Sequence, residues 1–156
     1  MGPSCAGTSY VGAGPLRPGA TDCFEFRVSQ EDMQTFRQLS GDTNPLHHDA
    51  AFARQRGFKD VVVYGSLIVA QVSRMLGTAM PGPGCVWRSI ALRFRNPLYV
   101  DAPACLYATV AYANEAFGLV RLKLRVESGG QVVADGEAEA QLSGKIFDVR
   151  VRHATS

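Results

Sequence analysis

Apolar and polar residues alternate in the second half of the chain, which is the pattern of strands with one buried face. In residues 119–126 every second side chain is aliphatic, and in residues 132–142 small side chains alternate with acidic ones. A three-residue turn at residues 129–131 would pair opposite charges across these two strands: Arg125 with Asp135, Lys123 with Glu137 and Arg121 with Glu139. Because the apolar residues then share the other face, both faces favour the same register. Further strands are predicted at residues 23–28, 86–95 and 104–112.

A helical periodicity precedes most of these strands. Residues 65–76 are apolar around almost the whole helical circumference, so this helix is predicted to be buried on most sides and to end at Gly77. A helix that starts after Ser29 with a capping box is predicted to end at Gly41, and a short one spans residues 50–56. The least costly burial wraps an antiparallel sheet around the long helix, which makes an α+β domain. The small side chains of residues 134–140, Gly136 among them, are predicted to let that helix approach closely. The free sheet edge favours dimerisation by sheet extension.

The composition is that of one ordinary globular domain. The chain has 156 residues, of which 46% are hydrophobic and 19% charged, and its net charge of +2 gives no reason to expect a nucleic-acid partner. Residues 61–70, the longest nearly apolar stretch, are half as long as a membrane span of about 20 residues, so no membrane partner is expected. Residues 1–21 are rich in Gly, Pro, Ser and Ala and are predicted to be a flexible arm ahead of a single domain at residues 22–150. The four widely spaced cysteines are predicted to be reduced thiols of a cytoplasmic protein.

Polar residues that could carry chemistry are concentrated in eight consecutive positions: Asp42, Asn44, His47, His48 and Asp49. These residue types also suit turns and helix starts that have no activity. A metal site is disfavoured, because adjacent histidines lack the i, i+4 spacing of helical ligands. A third interpretation is an acid–base pair, since Asp42 and His47 are five residues apart across a proline turn and could converge on one water.

The sequence S-G-D-T-N-P-L-H-H-D at residues 40–49 resembles the hydratase motif of MaoC-like (R)-specific enoyl-CoA hydratases, a family that includes 3-hydroxyacyl-thioester dehydratases. The resemblance continues through Gly65 to residues 94–100 and covers residues 24–144. It implies a hot-dog fold, in which an antiparallel sheet wraps around a central helix, usually in a homodimer. It also implies reversible hydration of trans-2-enoyl thioesters of coenzyme A or acyl carrier protein to (R)-3-hydroxyacyl thioesters, with no metal or redox cofactor.

The resemblance assigns roles to individual residues. Asp42 and His47 match the pair that activates the catalytic water and exchanges the α-proton, and Asn44 matches an asparagine that supports the site. Gly65 matches the residue whose backbone N–H, at the start of the central helix, binds the thioester carbonyl. Such a donor suits the reaction because negative charge develops on the thioester oxygen as water adds.

Two more positions complete the predicted substrate-binding set of Asn44, Tyr64, Gly65 and Ser73. Ser73 matches a serine that borders the catalytic group, and Tyr64 stands where many family members have a histidine. Two other functions stay open at this point, because a fold does not by itself define an activity. One is a thioesterase that would use the carboxylate to direct water at the carbonyl carbon. The other is a catalytically silent subunit that binds acyl thioesters, in which Tyr64 marks a decayed site.

Overall fold

The computed structural model describes residues 16–142, in which one antiparallel sheet packs against helices. The strands are β1 (Thr21–Phe26), β2 (Cys85–Phe94), β3 (Ala104–Asn114), β4 (Leu119–Ser128) and β5 (Gln131–Leu142). The helices are α1 (Gln30–Ser40), α2 (Ala50–Gln55) and α3 (Gly65–Thr78), and a 3₁₀ turn spans Pro45–His47. The sheet order is β1-β3-β4-β5-β2, so β1 and β2 form its edges. The predicted α+β architecture is confirmed.

The core lies between α3 and the apolar face of the sheet. Met75 of α3, Leu106 of β3 and Leu122 of β4 are among the largest fully buried side chains. The opposite side of α3 is exposed and carries small residues: Ser66, Ala70, Ser73 and Gly77. A single protomer therefore buries one side of α3, whereas the sequence predicted burial on most sides.

The C-terminus of α3 also differs from the prediction. The helix continues through Gly77 to Thr78, and the N–H of Ala79 donates to the carbonyl of Met75 at 3.0 Å. A glycine inside a helix costs only about 0.5–1 kcal/mol relative to alanine. The buried residues of the last turn, Met75 and Leu76, offset that cost by packing in the core.

The β4–β5 hairpin has the predicted register but a different turn. Arg125 pairs with Asp135, and the other two charged pairs follow in the same register. The turn has two residues, Gly129 and Gly130, both at positive φ, because Ser128 pairs with Gln131. A β-bulge after Val126 absorbs the one-residue difference, so the charges still meet across the strands.

The residues predicted to cap α1 do cap it, and the C-terminal cap turns the chain toward the polar residues at positions 42–49. The Ser29 side chain accepts a hydrogen bond from the N–H of Asp32 at 3.1 Å, and the Asp32 carboxylate accepts one from the N–H of Ser29 at 2.8 Å. Gly41 ends the helix at φ 71°, in the left-handed region that glycine adopts without strain. The chain therefore turns sharply just before Asp42.

Part of the predicted N-terminal arm lies against the sheet. Leu16 packs against the core, the N–H of Gly19 donates to the carbonyl of Val110, and Thr21 already belongs to β1. The arm's other residues and the predicted domain end at residues 143–150 lie outside the described residues. The three cysteines of residues 16–142, Cys23, Cys85 and Cys105, are free thiols. Within the same range, no helix has the length and apolar character needed to cross a membrane.

The glycine of β5 has a packing role that the sequence did not indicate. Small residues of β5 were predicted to let the helix approach, but a Cβ on Gly136 would overlap the backbone carbonyl oxygen of Ala91 in β2. The close neighbour is therefore the adjacent strand.

We expect Gly136→Ala to lower the free energy of unfolding by about 1–3 kcal/mol, the usual cost of overpacking. Glu137→Ala is the matched control, because Glu137 is the next residue of β5 and its side chain is exposed. That variant should change stability by no more than about 0.5 kcal/mol, the usual range for a surface substitution. Urea denaturation followed by circular dichroism measures both. Equal stability of the two variants would contradict the close approach of β2 and β5.

Candidate active site

The loop after α1 is held by its own polar side chains. Asp42 Oδ1 accepts a hydrogen bond from the N–H of Asn44 at 3.0 Å, and Asn44 Oδ1 accepts one from the N–H of Leu46 at 3.1 Å. Pro45 then starts the 3₁₀ turn, where its fixed φ is already suitable. The loop thus forms the turns that the simplest interpretation of the sequence predicted. It also fixes the backbone on both sides of the two residues predicted to be catalytic.

The imidazole of His47 is oriented by a main-chain carbonyl. His47 Nδ1 lies 2.6 Å from the carbonyl oxygen of Val62, and the N–H of Val62 donates to the carbonyl of Leu46 at 3.1 Å. Because a carbonyl only accepts, Nδ1 carries the proton of this hydrogen bond. In the neutral ring Nε2 then keeps its lone pair, which is the form needed to accept a proton from water.

Tyr64 packs between the loop and α1. Its ring centroid is 4.1 Å from that of His47 and 4.8 Å from that of Phe36. Its hydroxyl donates to the backbone carbonyl of Asp42 at 2.9 Å. Burial, together with the nearby Asp42 carboxylate, raises the pKa of the Tyr64 hydroxyl above its ordinary value, against a smaller opposing effect of Arg37. The hydroxyl therefore stays protonated and remains a donor.

His47 and Gly65 line the same cavity, which has a volume of about 450 Å³. The remaining lining is mainly apolar: Phe58, Val62, Val63, Ile68, Phe94, Pro97 and Leu98, with Arg95 and Asn96. Gly65 is the first residue of α3, and no side chain caps that end of the helix. The ring of Phe94 lies over Gly65, so close that a Cβ there would be 2.9 Å from Cζ. The cavity thus joins an imidazole, a helix N-terminus and an apolar wall.

The structure brings together only some of the residues predicted for the site. Asp42 is exposed and does not line the cavity, and Asn44 uses its side-chain oxygen to cap the 3₁₀ turn. Ser73 is exposed on α3, two turns beyond Gly65, and is not part of the lining. Sequence reasoning missed Val62, because its contribution is a backbone carbonyl that no side chain signals.

Comparison with known proteins identifies the family of this chain. Residues 19–127 match the model of the family described as MaoC like domain. The chain belongs to the MaoC-like domain family. A relative in Methylorubrum extorquens, 3-hydroxybutyryl-CoA dehydratase, is 32% identical over 130 residues, which are 83% of each chain. The mitochondrial 3-hydroxyacyl-[acyl-carrier-protein] dehydratase of Arabidopsis thaliana is 35% identical over 123 residues, 76% of this chain and 73% of the relative.

Solved structures of MaoC-like proteins give the same result for the fold. The (R)-hydratase of Aeromonas caviae involved in PHA biosynthesis superposes with a TM-score of 0.77 at 30% identity, covering 82% of this chain and 98% of that one. The family and the hot-dog fold that the resemblance implied are therefore confirmed. This MaoC-like protein is a member of a family of hydratase and dehydratase enzymes.

Proposed function

We propose that this MaoC-like protein catalyses reversible hydration of trans-2-enoyl thioesters to (R)-3-hydroxyacyl thioesters. The observation that carries the proposal is the shared cavity, which is lined both by His47, whose Nδ1 is held by the Val62 carbonyl, and by Gly65 at the start of α3. Hydration needs a base for water and a donor for the developing oxyanion, and these two groups supply both. The names of the curated relatives, two of which are quoted above, support the same reaction class.

In the proposed reaction a water lies between His47 and Asp42, and one of its protons passes to this pair. The water oxygen bonds to C3 of the enoyl group, and the electron pair of the double bond moves toward the thioester oxygen. The backbone N–H of Gly65 stabilises that oxyanion, helped by the positive end of the α3 dipole. The proton is then delivered to C2, which restores the thioester and leaves the hydroxyl on C3.

Asn44 keeps its predicted place near the substrate as part of this proposal, whereas the side chains of Tyr64 and Ser73 lie outside the lining of the cavity. The amide nitrogen of Asn44 faces no hydrogen-bond acceptor among the described residues, so it is available for a substrate or a water. The apolar lining, which includes Ile68 of α3 and Leu98, suits an acyl chain. The curated relatives include enzymes named for coenzyme A and for acyl carrier protein, and either thioester is compatible with the proposal.

A homodimer formed through the β2 edge is also part of the proposal. Ile90 and Phe94 lie on the same face of β2 as the core, yet they are 36% and 53% exposed, and no strand pairs with the outer edge of β2 in the described chain. The adjacent exposed side of α3 carries small residues that allow close approach. A second copy paired along β2 would cover both surfaces.

Light scattering should give about twice the protomer mass of 16.8 kDa. Ile90→Lys should shift the protein toward monomer, because a charge would be buried at the interface. Phe117→Lys is the control, since this residue is equally apolar but lies on the β3–β4 turn. A monomeric wild-type protein would contradict the dimer.

A cytoplasmic location and the lack of nucleic-acid and membrane partners stay predictions from the sequence.

The activity is tested by adding the protein to crotonyl-CoA and following loss of the enoyl-thioester absorbance. The product is then offered to an (R)-specific 3-hydroxyacyl-CoA dehydrogenase. We expect loss of absorbance and an (R) product, with both strongly slowed in the Asp42→Asn variant. Release of free thiol would point instead to a thioesterase. Tight acyl-CoA binding without turnover at any enoyl chain length, on either carrier, would indicate a binding subunit.

A further inference from the structure

We propose that Tyr64 is a positioning residue that holds His47 and the Asp42 loop in one fixed arrangement. The proposal rests on the proposed function, because it assigns Tyr64 a role through the two groups that function uses. It differs from the substrate-binding role that the sequence predicted for this residue. In the structure Tyr64 is 2% exposed, and its side chain does not line the cavity.

The hydroxyl of Tyr64 makes the contact with the Asp42 loop. The loop that carries Asp42 is exposed, and the hydrogen bonds of Asp42 and Asn44 described above join residues of the same loop. The hydrogen bond from the Tyr64 hydroxyl to the Asp42 carbonyl connects residues 22 apart in the sequence and so ties the loop to the start of α3. Because the donor residue is buried, this hydrogen bond is partly shielded from water although Asp42 itself is exposed.

The ring of Tyr64 makes the contact with His47. It packs against the imidazole with an interplanar angle of 30°, and Phe36 of α1 also contacts it, at 4.8 Å between centroids. The Nδ1 hydrogen bond to Val62 fixes one nitrogen but leaves the ring free to tilt about that contact. The neighbouring ring of Tyr64 limits the tilt, so Nε2 keeps a constant direction relative to the cavity that His47 lines.

Both contacts come from one side chain, and this side chain directly precedes Gly65. Tyr64 contacts the water-activating groups and Gly65 is the oxyanion donor. These two adjacent residues therefore fix the positions of the two parts of the site relative to each other. Small displacements of catalytic groups reduce turnover far more than they weaken substrate binding, since binding does not require the groups to be aligned. A positioning role therefore predicts a loss in kcat with little change in KM.

The test compares Tyr64→Phe, which keeps the ring and loses the hydroxyl, with Tyr64→Leu, which loses both contacts. We expect kcat to fall by about 10-fold in the first, as for loss of one buried hydrogen bond, and by about 100-fold in the second. KM for crotonyl-CoA should change little in either variant. Tyr112→Phe is the matched control, because its hydroxyl contacts Asn114 at the far end of β3. It should match the wild type.

Two measurements separate positioning from general loss of stability. In the Asp42→Asn background, Tyr64→Phe should cost no further activity, since the group it positions is already disabled. In NMR spectra of the protein without substrate, the His47 ring protons should keep their ring-current shift in Tyr64→Phe and lose it in Tyr64→Leu. Faster amide exchange at Asn44 and Leu46 in both variants would report the released loop.

Other outcomes would overturn the proposal. A higher KM with unchanged kcat in Tyr64→Phe and Tyr64→Leu would indicate that Tyr64 binds substrate. Wild-type kcat and KM in both variants would show that Tyr64 has no role in catalysis. If the wild-type protein turns over no enoyl thioester, the proposed function fails while the NMR measurements still decide whether Tyr64 holds His47 and the loop. If Tyr64→Leu does not fold, unchanged amide exchange at Asn44 in Tyr64→Phe would be the contradicting result.

Discussion

Replacing His47 by glutamine is expected to lower kcat for enoyl-thioester hydration by roughly 10³-fold, the scale of a lost general acid–base group. The amide of glutamine can still donate to the Val62 carbonyl, which His47 Nδ1 contacts at 2.6 Å, so the loop should keep its position. It cannot accept a proton at neutral pH, so the chemical step should fail while binding persists. Steady-state kinetics with crotonyl-CoA would show the effect in kcat, with KM nearly constant.

The neighbouring histidine provides the control for this prediction. His48 is exposed, and its Nε2 contacts the backbone carbonyl of Thr43 at 3.1 Å without lining the cavity. His48→Gln should therefore retain wild-type kcat. A folded His47→Gln protein with wild-type turnover, or equal losses in both variants, would show that the cavity does not depend on this imidazole as its base.

Asp42→Asn is expected to reduce kcat by a comparable factor, roughly 10²–10⁴-fold. The substitution keeps an oxygen at Oδ1, so the hydrogen bond from the N–H of Asn44 can survive and the turn should stay intact. The Tyr64 hydroxyl donates to the main-chain carbonyl of Asp42, and that contact is also unaffected. What disappears is the carboxylate charge and its ability to accept a proton from the water shared with His47.

Asp60→Asn is the matched control, because Asp60 also accepts a hydrogen bond from a neighbouring backbone N–H, that of Val61, and is exposed outside the cavity. Its kcat should equal that of the wild type. Circular dichroism and thermal melting of both variants would show whether either substitution disturbs the fold. Full activity of a folded Asp42→Asn protein would leave His47 as the sole proton acceptor and contradict the paired mechanism.

The sequence predicted the β4–β5 register correctly because two independent patterns required it. Alternating apolar residues defined one face, and the pairing of Arg125 with Asp135 defined the other. The turn was predicted one residue too long, because a β-bulge leaves no signature in hydrophobic periodicity. The small residue Gly136 was correctly seen as a close-approach position, but the neighbour was the backbone of β2. Periodicity indicates which face is buried, and it does not indicate what covers that face.

The candidate site was only partly predictable, because some of its contacts join segments that are far apart in the sequence. Residue types at the right spacing pointed to Asp42 and His47, and the position of Gly65 at a helix start followed from the helical pattern. The contact of Tyr64 with the Asp42 carbonyl joins two segments far apart in the sequence. No local pattern encodes such a contact. The exposed position of Ser73 also depends on which side of α3 meets the sheet, which the nearly uniform apolar pattern left open.

Val62 contributes to two properties of the site, the orientation of the base and the shape of the cavity wall, through different atoms. Val62 orients the imidazole through its main-chain carbonyl and lies in the cavity wall, so its side chain is free to vary without moving the base. Proline is the exception, because the N–H of residue 62 is needed by the Leu46 carbonyl. Descendants of this sequence could therefore change their acyl specificity at position 62 by single substitutions while inheriting the catalytic geometry intact.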